Sequence, residues 1–314
     1  MNLLVQSAGL ALTSLPARPV HLAIGMFDGV HLGHRSVIEA AVQSAKRCGG
    51  IAAVLTFAPH PSVLLRPANA TPLIMDIQTK AAWLQQLGVE LLIVEPFTPN
   101  YAKLAAEEFL PHLRSHLPLL AAVYVGENWR FGQARRGDVA LLITEGHRLE
   151  IGVFSAPRVN LDGEPISSTR IRTLLSVGDV VNANRLLGHT YSARGVITAG
   201  KRLGRTIGFP TLNLAWSPEL RPKLGVYAVR VLGSKSALAL CGVANYGLRP
   251  TVEQSTQPLL ETHILGNCPF DEGDEITVEW LRFLRSEMKF AGLEPLQAQI
   301  AQDVIAARAE FFLP

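Results

Sequence analysis

Cysteine is scarce: Cys48, Cys241 and Cys268 are the three in 314 residues, far apart and odd in number. No CxxC pair exists, which excludes zinc ribbons and a disulfide framework and points to a reducing, cytoplasmic setting. Long hydrophobic runs are missing as well, none approaching the roughly 18–20 residues of a membrane helix. The start, Met1-Asn2-Leu3-Leu4-Val5, lacks the basic flank and apolar stretch of a signal peptide. A soluble protein with no membrane partner is expected. Nor is there an excess of one charge, since 29 Lys+Arg stand against 26 Asp+Glu, a net +3. That excludes the dense basic stripe with which duplex binders displace counterions, so no nucleic-acid partner is expected and any anion recognition is local. Charged residues make up only 18% against 48% apolar, which excludes disorder and leaves ample material for buried cores.

What is present falls into two rhythms. Residues 20–25, 51–57, 90–94, 121–126 and 150–154 are short apolar runs without polar alternation, the pattern of strands covered on both faces. Between them, 34–47, 78–87, 105–115 and 139–147 carry helical periodicity, with Gly88 a C-cap and Asp138 an N-cap. Strand and helix in alternation imply a Rossmann-like, doubly wound parallel sheet with ligands at the strands' carboxyl ends. A short helix over 179–187 closes this half. Then strand-like runs at 191–197, 211–214, 225–232, 238–243, 259–265 and 275–283 follow with no long helix between them. They predict a small six-stranded antiparallel barrel, closed off by an amphipathic helix over 295–312 with Pro295 in its first turn. The expected domains are 1–185 and 186–314.

The first strand runs into Gly25-Met26-Phe27-Asp28-Gly29-Val30-His31-Leu32-Gly33-His34. Its glycines admit close backbone approach, and the free N–H groups of a helix start favour an anion. His31 and His34, three apart across that start, can both donate to it; a zinc reading lacks a third ligand nearby. Two later segments fit the same rim. Val125-Gly126-Glu127-Asn128-Trp129-Arg130-Phe131-Gly132 follows another strand, and Ile166-Ser167-Ser168-Thr169-Arg170-Ile171-Arg172 opens a helix. Hydroxyls, backbone N–H groups and guanidinium converge there, the composition of a phosphate clamp.

In the second half, Gly195 to Arg202 nearly spells a P-loop, but Arg202 replaces the metal-binding hydroxyl and the stretch from Leu203 to Pro210 cannot be the helix that motif requires. The loop still offers Gly200, Lys201, Gly204, Arg205 and Gly208 to a phosphate. Thr211 and Asn213 then project from one face of a strand, oxygen donors able to share Mg²⁺ with a nucleotide. Glu261, on another strand, is the best proton acceptor for an attacking hydroxyl.

HxGH together with ISSTRIR resembles the nucleotidyltransferase superfamily. The fuller strings GMFDGVHLGH, TFAPHP, VGENWRFG and ISSTRIR resemble the N-terminal half of bacterial bifunctional riboflavin kinase/FMN adenylyltransferases, and GFPTLNL, GVANYGLRPT and LETHIL resemble their C-terminal kinase module. The resemblance implies two reactions, phosphorylation of riboflavin by ATP to FMN and transfer of AMP from ATP to FMN, giving FAD and pyrophosphate. It implies that His31 and His34 steady charge on the phosphates. Gly25, Phe27, Asp28, Gly33 and Asn128 meet the nucleotide, while Ser168, Thr169 and Arg172 hold the departing pyrophosphate. It further implies that Thr211 and Asn213 hold Mg²⁺–ATP and that Glu261 is the base. Two positions depart from the family pattern: Ala58 stands where Asp is usual, and Phe270-Asp271-Glu272-Gly273 replaces a Leu-Tyr-Gly turn. A class I tRNA synthetase lacks support, because no KMSKS-like loop or anticodon-binding region is found. An adenylyltransferase alone would leave the second half unexplained, and a non-enzymatic flavin-binding module would leave two phosphate cradles without a purpose.

Overall fold

The computed structural model describes residues 4–6, 9–11, 17–200, 203–248 and 258–311. The chain divides into two compact units between Ser168 and Thr169. In the first, strands β1 (Leu4–Gln6), β2 (Val20–Ile24), β3 (Ile51–Ala58), β4 (Leu91–Pro96), β5 (Leu120–Gly126) and β6 (Gly152–Ala156) form one sheet in the order β1-β4-β3-β2-β5-β6. All neighbours are parallel. Helices α1 (Leu32–Cys48), α2 (Pro61–Leu65), α3 (Ile77–Gln86), α4 (Ala106–His116) and α5 (Val139–Arg148) make the connections.

The unalternated apolar runs have their cause in this layering. All five residues of β2 are buried. Leu22 and Ile24 pack into one core with Ile93, Leu110 and Leu142, whereas Ala23 joins Ile38, Val42, Val54 and Leu84 on the other face. Successive connections run outward to one side from β2 to β4 and to the other from β5 to β6. The order therefore reverses between β2 and β5, the place where open parallel sheets collect ligands. Several short elements were not foreseen, the one-turn helix α2 among them. Edge strand β1 is too short to carry a pattern, and a hairpin of β7 (Asn160–Leu161) and β8 (Glu164–Pro165) turns on Asp162 and Gly163, both at positive φ.

The second unit contains α6 (Ser168–Val177, its first residue counted with the first unit), α7 (Val180–Leu187), β9 (Ser192–Thr198), α8 (Leu203–Thr206), β10 (Leu212–Leu214), β11 (Gly225–Gly233), β12 (Ser236–Gly247), β13 (Leu259–Ile264), β14 (Glu275–Arg285) and α9 (Leu293–Phe311). Its six strands close into an antiparallel barrel in the order β10-β13-β12-β11-β14-β9. Trp280, Tyr227 and Tyr246 are fully buried, with the Tyr227 and Trp280 rings 4.4 Å apart. Outside, α9 lays Ala307 on Val226, Ala228 and Val243. A half-buried ion pair pins it, Arg285 Nε and Nη2 donating to the two Asp303 carboxylate oxygens at 2.8 and 2.7 Å.

The compact second unit begins before the expected 185/186 division, for a reason visible in α7. Val180, Ala183, Leu186 and Leu187 are buried, Asn184 donates to Trp280 O and accepts from Tyr191 N at 2.8 and 2.7 Å, and Gly188 closes the helix at φ 71. The side chain of Asp179 caps its start on Asn182 N. The end of α6 is tied similarly, by Lys223 N donating to Leu175 O.

Candidate active sites

The first site is assembled where β2 turns into α1. His31 is the N-cap of α1: its Nδ1 accepts from His34 N at 3.2 Å, and it is 4% exposed. The His31 and His34 rings stack with centroids 3.5 Å apart, and Phe27 meets His34 edge-on. Gly25 leaves room for the Phe27 ring, and Gly33 lets His31 lie against the helix backbone, since a Cβ on either would stand 3.0 or 3.2 Å from those rings. The loop between is strained: Phe27 and Val30 sit at φ +45 and +38 beside Gly29 at +86. Such non-glycine conformations cost on the order of 1–3 kcal/mol each and persist only when surroundings impose them.

The surroundings are explicit. The Asp28 carboxylate, 1% exposed, accepts from Ile74 N at 2.9 Å through one oxygen and 3.1 Å through the other. Ser168 Oγ donates to Asp28 O at 2.9 Å, and the Met26 carbonyl accepts from Thr56 Oγ1 at 3.0 Å and Lys80 Nζ at 2.8 Å. The Asp28 side chain is thus turned into the protein. Around the histidines opens a cleft of about 250 Å³ lined by Gly25, His31, Gly33, His34, Asn128 and Arg158. Asn128 is exposed, its amide donating to Glu127 Oε1. Thr169 (exposed) and Arg172 (half-buried) lie further along α6, in the second unit.

The second site lies on the outside of the barrel. Antiparallel register sets Asn213 of β10 opposite Glu261 of β13, and Glu261 opposite Asn245 of β12. Residues directly opposite share a face, so Asn213, Glu261 and Asn245 form one polar row. Asn213 is 7% exposed and Glu261 half-buried. Gly200 is required beside this row, because a Cβ there would lie 2.8 Å from Asn213 Cγ. Helix α8 is one turn, Phe209 N returns to Gly204 O at 2.8 Å, and Gly208 turns the chain at φ +83. Thr211, exposed, sits by Gly204. His263 Nδ1 donates to Pro210 O at 2.8 Å, fixing this loop to the strand that carries Glu261. Lys201 lies outside the described residues, and of Arg205 only the backbone in α8 is described.

Residues 15–170 match the family model of FAD synthetase, and 187–311 that of riboflavin kinase. A bifunctional riboflavin kinase/FMN adenylyltransferase of Escherichia coli K12 is 36% identical over 301 residues, covering 96% of this chain and 95% of that protein. The chain belongs to the bifunctional riboflavin kinase/FMN adenylyltransferase family. Relatives of the same description from Haemophilus influenzae and Bacillus subtilis are 37% and 36% identical over 92% and 90% of the chain. A solved structure from Streptococcus pneumoniae, described as a macrolide-efflux protein, covers 97% of this chain and 98% of its own at 27% identity and a TM-score of 0.86. Among the described residues of this member, no helix is long and apolar enough to cross a membrane. The protein is a transferase whose domains cover both activities, riboflavin kinase and FMN adenylyltransferase, and whose substrates follow as riboflavin, FMN and ATP.

Sequence reasoning missed several residues of these sites. Lys80 reads as an ordinary helix charge and Arg158 as loop. Asn245 stands in the quoted GVANYGLRPT string, but only strand register brings it beside Glu261.

Proposed function

We propose that the cleft at His31 and His34 is the adenylyl-transfer site and the row Asn213–Glu261–Asn245 the phosphoryl-transfer site. The observation that carries the residue assignment is the cross-strand pairing of Asn213 with Glu261 beside a glycine loop, apart from a helix start that stacks two histidines. At the first site an FMN phosphate oxygen attacks the α-phosphorus of ATP, and the bond from that phosphorus to the bridging oxygen breaks as pyrophosphate leaves. His31 and His34 donate to the charge that grows on the phosphate oxygens, from a position already organised before substrate arrives. Gly25, Phe27 and Gly33 supply backbone, Asn128 meets the nucleotide, and Ser168, Thr169 and Arg172 take the roles the resemblance gives them toward pyrophosphate.

At the second site the riboflavin 5′-hydroxyl oxygen attacks the γ-phosphorus, its proton passes to the Glu261 carboxylate, and ADP leaves. Gly200, Lys201, Gly204, Arg205 and Gly208 cradle the phosphates. The donor set fits Mg²⁺: Thr211 hydroxyl and Asn213 amide are hard oxygen ligands, and no cluster of three His, Cys, Asp or Glu occurs among the described residues to form an all-protein cage. Thr211 and Asn213 would hold the ion together with ATP oxygens; bound there, it offsets phosphate charge. A cytoplasmic setting is supported by Cys48, Cys241 and Cys268, all free thiols.

The test is incubation with riboflavin, ATP and Mg²⁺, following FMN and FAD by chromatography. His31→Ala is expected to cut FAD formation by ~10²-fold, about 3 kcal/mol of barrier, and leave riboflavin phosphorylation nearly untouched. Equal loss of both activities, or loss of neither, would overturn the assignment.

A further inference from the structure

The strained loop between β2 and α1 rests on a buried cation. Lys80 of α3 is 3% exposed, and its Nζ donates to Met26 O at 2.8 Å and lies 3.4 Å from Thr56 Oγ1. Thr56 Oγ1 donates to the same carbonyl at 3.0 Å, so Met26 O is held from β3 and from α3 together. The next residue, Phe27, is at φ +45, and the backbone runs from there through Gly29 and Val30, also at positive φ, into His31. An ammonium is costly to bury unless it is paired and hydrogen-bonded, and an apolar side chain would fill the same space without that cost. The charge therefore calls for a purpose beyond packing.

We infer that Lys80 is a positioning residue for adenylyl transfer: its ammonium, donated to the Met26 carbonyl from beneath the loop, holds the backbone that sets His31 and His34. This rests on the reading of those histidines as the groups that meet the phosphates. Lys80 touches no reacting atom. It acts by fixing where the histidine stack sits, and a displacement of about 1 Å in such a group is enough to cost ~10²-fold in rate. Burial pushes the Lys80 amine down to about 8, while the Asp28 carboxylate opposes that shift. From the elements packed around it, Asp28 of the loop is the charge that bears on it, Thr56 of β3 contributes a neutral hydroxyl, and the nearest acid of its own helix start, Asp76, is engaged as a cap on Thr79 N. Above that pH the amine loses its charge, the bond to Met26 O weakens, and Asp28 is left buried without its counter-charge.

Activity and stability then part company, which separates positioning from mere structure. Losing the proton relieves a burial penalty, so the fold gains from this group as pH rises through 8, while FAD formation declines. The experiment measures kcat and KM for FAD formation from supplied FMN between pH 6.5 and 9.5, with riboflavin phosphorylation as internal control. It uses the full chain and its Lys80→Met, Lys80→Arg and His31→Ala variants. Expected is a fall in wild-type kcat centred near pH 8 that the kinase does not share. Lys80→Met should lose on the order of 10²-fold in kcat with KM for ATP changed less than about threefold. Lys80→Arg, charged throughout, should recover at least a tenth of the wild-type rate and show no alkaline decline. A Lys80→Met protein with more than half the wild-type kcat, or Lys80→Arg declining at the same pH as wild type, overturns the inference. Should neither variant fold, the wild-type profile decides: a kcat flat to pH 9.5 refutes it. If His31→Ala leaves FAD formation intact, the underlying reading of the site fails instead; if His31→Ala is impaired and Lys80 variants are not, only the role of Lys80 falls.

Discussion

Replacing Gly200 by Ala tests the kinase geometry at a single methyl group. A Cβ at this position would stand 2.8 Å from Asn213 Cγ and 3.1 Å from Oδ1, with the amide nitrogen nearer still. Real contacts are not that short, and the neighbour is a strand residue 7% exposed and boxed in by β9 and β13, so its side chain has to leave its rotamer or the loop has to lift. Either movement is about 1 Å, which for the role proposed for Asn213 toward phosphate and metal costs ~10²-fold, about 2.7 kcal/mol of barrier. Overpacking adds about 1–3 kcal/mol of lost stability. The assay is FMN formation from riboflavin, alongside FAD formation from supplied FMN, which should be unchanged. Gly273→Ala is the control for general destabilisation: its φ of +91 makes Ala unfavourable, yet a Cβ there meets nothing within 4 Å. It should lower stability of the barrel and leave the kinase rate nearly intact. The decisive comparison is the double mutant. If Gly200→Ala acts through the amide, then in an Asn213→Ala background it costs little more, and the pair is strongly non-additive. Additive losses, or a Gly200→Ala protein with more than half the wild-type kinase rate, would refute the reasoning.

Glu261→Gln keeps the shape in the polar row but accepts no proton, so FMN formation should drop by ~10²–10⁴-fold, about 3–5 kcal/mol, with FAD formation from FMN continuing; retention of more than a tenth of the kinase rate removes Glu261 as base. A fragment 169–314 should fold and make FMN only, whereas 186–314 loses buried Val180 and Ala183 and both Asn184 bonds, about 4–5 kcal/mol of an ordinary domain's 5–15. Equal thermal stability of the two fragments would show that α7 is dispensable. For Lys80 the folded amine sits at about 8 against 10.5, so below pH 8 both folded and unfolded chains carry the proton and the full burial cost is present; between 8 and 10.5 the unfolded chain binds more protons and stability rises with pH. Urea denaturation of wild type relative to Lys80→Arg should therefore gain about 2 kcal/mol from pH 8 to 9.5, and no gain would contradict the burial argument.

Much of this architecture was legible because its signals are local. Strands β2 to β5 are buried on both faces and so read as plain apolar runs; Asp138, Asp179 and Gly188 mark helix ends through side-chain or left-handed caps that the sequence displays directly. The two regions proposed to bind phosphate are marked in the sequence by the same kind of local signal, glycine with histidine or with cations at element junctions. What escaped is what only folding brings together. Lys80 lies far along the chain from Met26, and nothing in Gln78-Thr79-Lys80-Ala81 distinguishes a buried ammonium from a solvated one. The burial of the Asp28 side chain escaped too: the amides of Ile74 and Met75 claim its carboxylate, a partnership invisible without the connection between β3 and α3. The attachment of α7 to the barrel escaped likewise, since it depends on Asn184 reaching Trp280 and Tyr191 at once.

The two sites solve one physical problem with opposite means. On the proposed assignment each has to bring backbone within reach of polyphosphate, which requires a chain path that ordinary residues avoid. The barrel takes the path with glycine: Gly200 makes way for Asn213, Gly204 for the Phe209 carbonyl, and Gly208 turns at φ +83 with no steric penalty. Such a loop is cheap to form and needs a brace to stay in place, and the His263 bond to Pro210 O and the Gln297 bond to Ile207 O supply it from β13 and α9. The parallel sheet instead forces Phe27 and Val30 into the left-handed region and holds them there with buried polar groups, Asp28, Thr56 and Lys80. A strained loop locked by buried charges is costly but already in position before a ligand arrives, which suits the proposed adenylyl transfer, whose work is positioning and charge stabilisation by His31 and His34. On the proposed reading, the barrel site would have the Glu261 carboxylate and a Mg²⁺ held by Thr211 and Asn213 to share the work. On that reading the difference in backbone strategy follows from the difference in chemistry, and the inferred pH-sensitive element, the Lys80 amine that burial pushes down to about 8, lies in the FAD synthetase half.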